Sequence, residues 1–292
     1  MKSALITYLC NDLFAPGALA LLESIKENSP DILDEVEILC FCLEDVTRKM
    51  QDILIKSGFQ VLKISKKDYL YSSRKDFTDR YKNISWMMFT KLKIFSFFSY
   101  RKIIYLDADV VVNKSIKELL LKKSFLAAIL DENPLNKKNI GLNGGVLVLE
   151  PNEFQWERIK SNLNNFFPGG HTDQSLLNGM FPDFLRLDKK YNVLDKARRR
   201  KHLFPFDKMF LDSHIYHFNG QKPWILFYKN NGWKNITDIS YLKFWKYLFK
   251  SLNIKLFIKY HLTTFLINLF FSNIIFLLII LKRYLKKIIN FF

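Results

Sequence analysis

Short apolar runs rich in β-branched and aromatic residues alternate with helix-patterned stretches through the first half of the chain, and this alternation most limits what the chain can fold into. Residues 4–9 form one such run, closed by Asn11-Asp12, as suits a buried strand followed by a turn. Pro16 stands where a helix can begin, and residues 18–26 carry a helical period. Residues 36–43 read as a second strand, 47–57 as a helix with Gly58 just past its end, and 59–64 as a third strand. Residues 66–83 are polar and aromatic without a period, which suits a loop or lid. A helix over 86–98, strands over 102–106, 125–130 and 145–149, and a helix over 152–166 follow. Strands spaced by helices predict an α/β fold with a mostly parallel sheet flanked by helices. Ligands of such sheets settle beyond the carboxyl ends of the strands, so Asn11 and Asp107 are expected to face one crevice.

Charge divides the 292 residues unevenly. The formal net charge is +17, yet from Tyr241 to Phe292 there are nine Lys or Arg and no Asp or Glu. A nucleic-acid binder would spread its basic groups over a folded face, so nucleic acid is not an expected partner. A basic, aromatic tail points to an anionic membrane surface. Residues 262–281 carry no charge, with Lys255 and Lys259 before them and Lys282, Arg283, Lys286 and Lys287 after. At about 1.5 Å per residue such a run could just cross a hydrocarbon core about 30 Å thick, or lie along the interface with snorkelling lysines. The simplest division is a folded domain over residues 1–240 and a basic, hydrophobic helical tail over 241–292, which is expected to associate with the cytoplasmic side of a membrane. Cys10, Cys40 and Cys42 lie in apolar runs and make no disulfide framework; buried thiols are expected.

Asp107-Ala108-Asp109 carries the chemistry. It follows the apolar run 103–106 and precedes Val110-Val111-Val112. Two carboxylates one residue apart at a strand end can share a hard divalent cation, and such an ion can bridge the phosphates of a nucleotide. The triplet alone is common, and a solvated turn would also explain it. His217, in Ile215-Tyr216-His217-Phe218-Asn219-Gly220, is a candidate third ligand or else a satisfied core histidine. Gly220 and Lys222 after it suit close approach to a phosphate. Asn143-Gly144-Gly145 precedes the expected strand and reads either as a tight turn or as an amide and two glycines around a sugar. Thr172 reads as a helix cap with Asp173 and Gln174 in the first turn, or these two line a reacting sugar. Lys91 lies on an expected helix, where most lysines are only solvated. Nucleophile elbows, phosphate-binding Gly-x-x-x-x-Gly-Lys loops and zinc-type Cys-x-x-Cys pairs are absent from the sequence.

Taken in order, these motifs resemble glycosyltransferase family 8, the group that holds glycogenins and bacterial lipopolysaccharide galactosyl- and glucosyltransferases. The resemblance spans about residues 3–226. It rests on residues 6–12 with Gly17-Ala18, Thr90-Lys91-Leu92, Tyr105 to Asp109, Leu142 to Val146, Asp173-Gln174 with Leu177-Asn178, Tyr191-Asn192, and His217-Phe218 with Lys222-Pro223-Trp224. It implies a GT-A (Rossmann-like) fold, a UDP-sugar donor, Mn²⁺ or Mg²⁺, and retention at the anomeric carbon. By position, Asp107, Asp109 and His217 match metal ligands. Tyr8, Asn11 and Phe14 match residues that hold uridine, Phe14 standing where a tyrosine is common. Ala108 matches a backbone contact to ribose, and Gly220 and Lys222 match diphosphate contacts. Lys91 matches a donor-contacting lysine, Lys82 a position that is often basic, and Asn143, Gly144, Asp173 and Gln174 the sugar-binding positions. Asp173, Gln174 and Lys91 are therefore the expected catalytic residues. The implied activity is transfer of glucose or galactose from a UDP-hexose to a glycan or glycolipid acceptor, a lipid-linked oligosaccharide of the lipopolysaccharide or lipooligosaccharide kind at the cytoplasmic membrane face. A glycogenin-like self-glucosylating primer and a non-catalytic, membrane-bound sugar-nucleotide-binding protein are the alternatives.

Overall fold

The computed structural model describes residues 1–72, 85–131, 141–165, 172–195, 208–220, 222–225 and 239–251. The expected strands and helices alternate as read. Strand β1 (Lys2–Leu9) leads through a short 3₁₀ turn to α1 (Ala15–Asn28), which has Pro16 in its first turn, where a missing N–H is harmless. Strand β2 (Val36–Leu43) precedes α2 (Arg48–Ser57). The Thr47 side chain caps α2 by accepting from the Met50 N–H, and Gly58 ends it at φ 115°, a left-handed turn that glycine adopts without cost. Strand β3 (Gln60–Ile64) follows, then α3 (Ser85–Thr90), which tightens into a 3₁₀ helix over Lys91–Ser96 where one longer helix was expected. Strand β4 (Tyr100–Leu106) runs into the Asp-Ala-Asp triplet, and β5 (Val110–Val112) leaves it. Next come β6 (Leu126–Asp131), β7 (Gly141–Leu149), α4 (Glu153–Ser161), α5 (Asp173–Met180), β8 (Leu185–Leu187), β9 (Val193–Leu194), α6 (Lys208–Asp212), β10 (Ile215–His217) and α7 (Ile239–Ser251).

The main sheet has the order β3-β2-β1-β4-β7-β6-β8. Its pairs are parallel except those of β7, which runs against both β4 and β6. Both faces are covered, and the side chains alternate between them. Ile6, Phe41, Tyr105 and Leu147 join the core under α3, α4 and α5, while Leu5, Ile104, Leu106 and Val148 join the core under α1. A second, smaller sheet has the order β5-β10-β9.

Two sequence readings change. Residues 143–145 do not form a turn ahead of a strand; they lie inside β7, which begins at Gly141. Leu142 pairs with Leu130 and Leu147 with Ala128, so residues 143–146 stand opposite Ile129 alone in an irregular bulge. A bulge of this kind re-aims side chains out of the regular alternation. The division after residue 240 cuts through α7, whose Tyr241, Phe244, Tyr247 and Leu248 are buried against α1 and the β10 segment. Among the described residues no helix is long and apolar enough to cross a membrane, and the uncharged run 262–281 lies outside them.

Candidate functional site

The bulge in β7, the end of β4 and the start of α5 converge on one cluster of side chains. The Asp107 N–H donates to the Gly145 carbonyl at 2.8 Å, so the first acid is held by the bulge itself. Asp109 follows on the turn into β5, and its carbonyl accepts from the Phe218 N–H at 2.9 Å. That bond continues the antiparallel β5–β10 pairing, in which His217 lies opposite Val110. The small sheet thus carries a histidine more than a hundred residues downstream to the acid pair. Ligand-capable atoms of Asp107, Asp109 and His217 all lie within 4.8 Å of one another.

Asp109 is buried and gripped from two sides. Its Oδ1 lies 3.2 Å from His217 Nε2, and Lys222 Nζ donates to its Oδ2. Burial alone would raise its pKa; His217 and Lys222 outweigh that and hold the carboxyl well below the usual range. Lys222 Nζ also donates to the Phe218 carbonyl at 2.8 Å. Tyr105 donates its hydroxyl to Asp107 Oδ1, and burial, together with that charge, pushes the phenol far above its ordinary value.

Lys91 is no solvated helix lysine. It is buried, with Nζ 2.6 Å from Asp173 Oδ2, 3.7 Å from Asp107 Oδ1 and 3.3 Å from the Gly144 carbonyl that accepts from it. Burial works against its charge, but Asp107 and Asp173 overcome it and raise the pKa. Asp173 and Gln174 open α5, whose cap is Thr172, as read. Gln174 Oε1 accepts from the Gly144 N–H at 3.1 Å. Asn178, one helical turn on, accepts from the Leu142 N–H at 2.6 Å and donates to the Leu142 carbonyl at 3.3 Å, so it pins α5 to β7 as a strand partner would.

These contacts therefore bring together Lys91, Asp107, Asp109, Asn143, Gly144, Asp173, Gln174, His217 and Lys222. The remaining candidates make other contacts. Tyr8 donates its hydroxyl to the Met87 carbonyl at 2.7 Å, and Asn11 caps the turn before α1 by accepting from the Leu13 N–H at 3.0 Å. Phe14 packs edge-on against Trp224 at 6.3 Å. The Ala108 carbonyl lies against Gly17, where a β-carbon would come within 2.3 Å of it. Gly220 is exposed, and Lys82 lies outside the described residues. Sequence reading gave Tyr105 and Asn192 no role beyond the family pattern, and took Gly145 to make room for a sugar where the structure sets it against His217. Asn192 Oδ1 bonds His217 Nδ1 at 2.9 Å, and its Nδ2 donates to Asn143 Oδ1 at 2.8 Å.

The sequence profile described as Glycosyl transferase family 8 matches residues 5–226, most of the chain. The chain belongs to glycosyl transferase family 8. Among relatives, inositol phosphorylceramide glucuronosyltransferase 1 of Arabidopsis thaliana is 32% identical over 185 residues, 63% of this chain and 31% of that protein. Glycogenin of Neurospora crassa is 29% identical over 236 residues, 74% of this chain and 30% of that protein. The chain thus spans about a third of the length of these curated relatives. The crystal structure of the galactosyltransferase LgtC with donor and acceptor sugar analogues superposes with a TM-score of 0.57 at 16% identity, covering 85% of this chain and 96% of that one. At that identity the likeness shows a shared GT-A-like fold, as expected from the motifs.

Proposed function

We propose that this family 8 chain is a metal-dependent, retaining hexosyltransferase that moves a sugar from a UDP-hexose to a glycan or glycolipid acceptor. The observation that carries the reading is the convergence of Asp107, Asp109, His217 and Lys222, from two stretches more than a hundred residues apart, on one buried point.

The residues fit a divalent cation. Two carboxylates and an imidazole are a donor set that suits Mn²⁺ or Mg²⁺. Donors around a six-coordinate ion with bonds of about 2.1 Å stand about 3–4 Å apart, so the present set need draw together only slightly. Asp107, Asp109 and His217 would hold the ion, which when bound would neutralise the charge developing on the departing UDP. Three carboxylates, of Asp107, Asp109 and Asp173, face the two ammonium groups of Lys91 and Lys222, which leaves negative charge for a cation to balance.

The rest of the reaction falls to the chain. Lys222 exchanges its bond to Asp109 for the donor diphosphate. Asp173 and Gln174 line the sugar. Asp173 is paired with Lys91 at 2.6 Å, which quiets it as a nucleophile and favours attack from the face that UDP leaves. The bond from the anomeric carbon to the phosphate oxygen breaks, its electron pair stays with UDP, and the acceptor oxygen bonds to that carbon. The acceptor proton passes to the departing phosphate oxygen. Tyr8, Asn11 and Phe14 hold the uracil and Ala108 the ribose, with Gly220 beside the diphosphate, in keeping with the family pattern.

A ceramide-based acceptor appears in the name of the glucuronosyltransferase relative, and the basic composition of residues 252–292 suits an anionic membrane face on the cytoplasmic side. The test is UDP release with Mn²⁺ and a panel of UDP-glucose, UDP-galactose and UDP-glucuronate, with the product anomer read by NMR. Turnover with retention is expected for one donor, and unchanged turnover in Asp109→Asn would refute the assignment. Membrane attachment is tested by co-sedimentation with anionic vesicles, comparing the full chain with one ending at Ser251; equal pelleting of both would refute it.

A further inference from the structure

We infer that Asn192 is a positioning residue that fixes the tautomer of His217 and so turns the lone pair of Nε2 toward the acid pair. The inference rests on the metal-site reading above and extends it to a residue that is no ligand.

It follows from the polarity of one chain of hydrogen bonds. The Gly145 backbone N–H can only donate, and it donates to the side-chain oxygen of Asn143 at 2.9 Å. That fixes which end of the Asn143 amide is the oxygen. The same oxygen is 2.8 Å from Asn192, so Asn192 must present its NH₂ group there. The other end of Asn192, its carbonyl oxygen, then faces His217 Nδ1 at 2.9 Å. A carbonyl oxygen only accepts, so Nδ1 carries the proton. In the neutral ring Nε2 is left as the acceptor, and Nε2 is the atom 3.2 Å from Asp109 Oδ1. In that tautomer two lone pairs face each other at that distance, and either a proton or a bound cation between them resolves the arrangement.

Topology explains why this residue can do it. Asn192 immediately precedes β9, which runs parallel to β10 with Leu194 opposite His217. Its side chain is thereby carried to the rear of the ring. His217, Asn143 and Asn192 are all at least nine-tenths buried, so water does not compete for the bonds. The chain of bonds also links the sugar-binding position Asn143 to the metal position His217, so the bulge in β7 sets both. Outer partners of metal-bound histidines fix ring orientation in this way, and their loss costs about 10–100-fold in metal affinity.

The experiment uses the full chain, ¹⁵N-labelled at histidine, without metal, at alkaline pH. Long-range ¹H–¹⁵N spectra should show the His217 proton on Nδ1. A proton on Nε2 alone overturns the inference. Asn192→Asp keeps an acceptor for Nδ1 and should keep the tautomer; Asn192→Leu removes it and should let the Nε2–H form appear. Mn²⁺ titration followed by electron paramagnetic resonance should then show affinity falling about 10–100-fold in Asn192→Leu and less in Asn192→Asp. Equal losses in both variants, or none in either, would reduce Asn192 to a packing residue. Should Asn192→Leu not fold, the wild-type spectrum and Asn192→Asp still decide. A wild-type protein with the proton on Nδ1 that binds neither Mn²⁺ nor Mg²⁺ would sink the metal reading and leave the tautomer assignment standing.

Discussion

Gly145 leaves the space that the His217 ring fills. A β-carbon at that position would stand 2.3 Å from His217 Cε1 and 2.6 Å from Nδ1, closer than real atoms approach. At Gly144, one residue away, a β-carbon would meet only ordinary contacts, Lys91 Nζ at 3.5 Å and Asp173 Oδ2 at 3.6 Å. Gly145→Ala should therefore push the imidazole off the acid pair at an overpacking cost of about 1–3 kcal/mol. Mn²⁺ affinity should drop by at least about tenfold, in line with the loss of an oriented ligand. Gly144→Ala should leave Mn²⁺ affinity near wild type. Isothermal titration of both variants checks this, and similar affinities in the two would mean that the ring does not depend on the glycine.

Asp109 sets an acid-side prediction. Its carboxyl in the folded protein titrates below its ordinary value of 3.8, because His217 and Lys222 outweigh its burial. The folded state therefore holds fewer protons at this group than the unfolded chain does near that pH. Its contribution is complete above the ordinary value and is lost as pH falls below it, toward the folded-state pKa. Asp109→Asn should lower stability at neutral pH by about 3 kcal/mol, since it strips a buried pair of its anion. It should also flatten the acid limb of the stability curve below about pH 4. Urea melts of wild type and variant across that range test both; parallel curves would show that the pair carries no linkage.

How much of this was legible beforehand depends on distance along the chain. Strand and helix positions in the first half follow local rules, and Thr47, Gly58 and Thr172 do what their types favour at helix ends. Asp107 and Asp109 were readable because adjacent residues and a flanking apolar strand suffice to mark them. Lys91 was not, since its burial comes from acids 16 and 82 positions away, and only family resemblance singled it out. The bulge in β7 was missed because Asn-Gly-Gly is also turn chemistry, and nothing local shows that a strand continues through it. Asn192 acts through His217, a partner that only the β9–β10 pairing brings near, while Tyr105 bonds Asp107 two residues on, a contact that depends on where the chain turns after β4.

Asn178 makes a separate prediction about α5. It satisfies both backbone groups of Leu142 and also donates to the Gln174 carbonyl at 2.9 Å. Gly141 makes room for it, for a β-carbon there would come within 2.2 Å of Asn178 Oδ1. Asn178→Ala should expose the Leu142 groups without partners and cost about 1–3 kcal/mol. Because Asp173 and Gln174 ride on the same helix, turnover should fall while Mn²⁺ affinity holds. Thermal melts and Mn²⁺ titration check the two halves, and a variant that loses metal affinity as strongly as turnover would contradict the division of labour.

Helix α7 supports the segment that carries Lys222, and truncation tests it. Phe244 of α7 stacks on Trp224 at 5.3 Å and meets Phe218 edge-on at 5.7 Å, the two aromatics that flank Lys222. Lys246 and Lys250 pair with Glu27 of α1 at 2.6 and 3.2 Å, exposed contacts that add little beside the buried rings. A chain ending at residue 240 loses Phe244, Tyr247 and Leu248 from the core, while one ending at Ser251 keeps them. The shorter chain should melt well below the longer one and bind UDP weakly, because Lys222 and Trp224 lose the surface that orders them. Phe244→Ala in the full chain should reproduce much of the loss, about 3–5 kcal/mol, as expected for a buried phenylalanine. Calorimetric UDP titration with Mn²⁺ across the three proteins decides the point: equal affinity in all of them would mean that α7 is merely appended to the site.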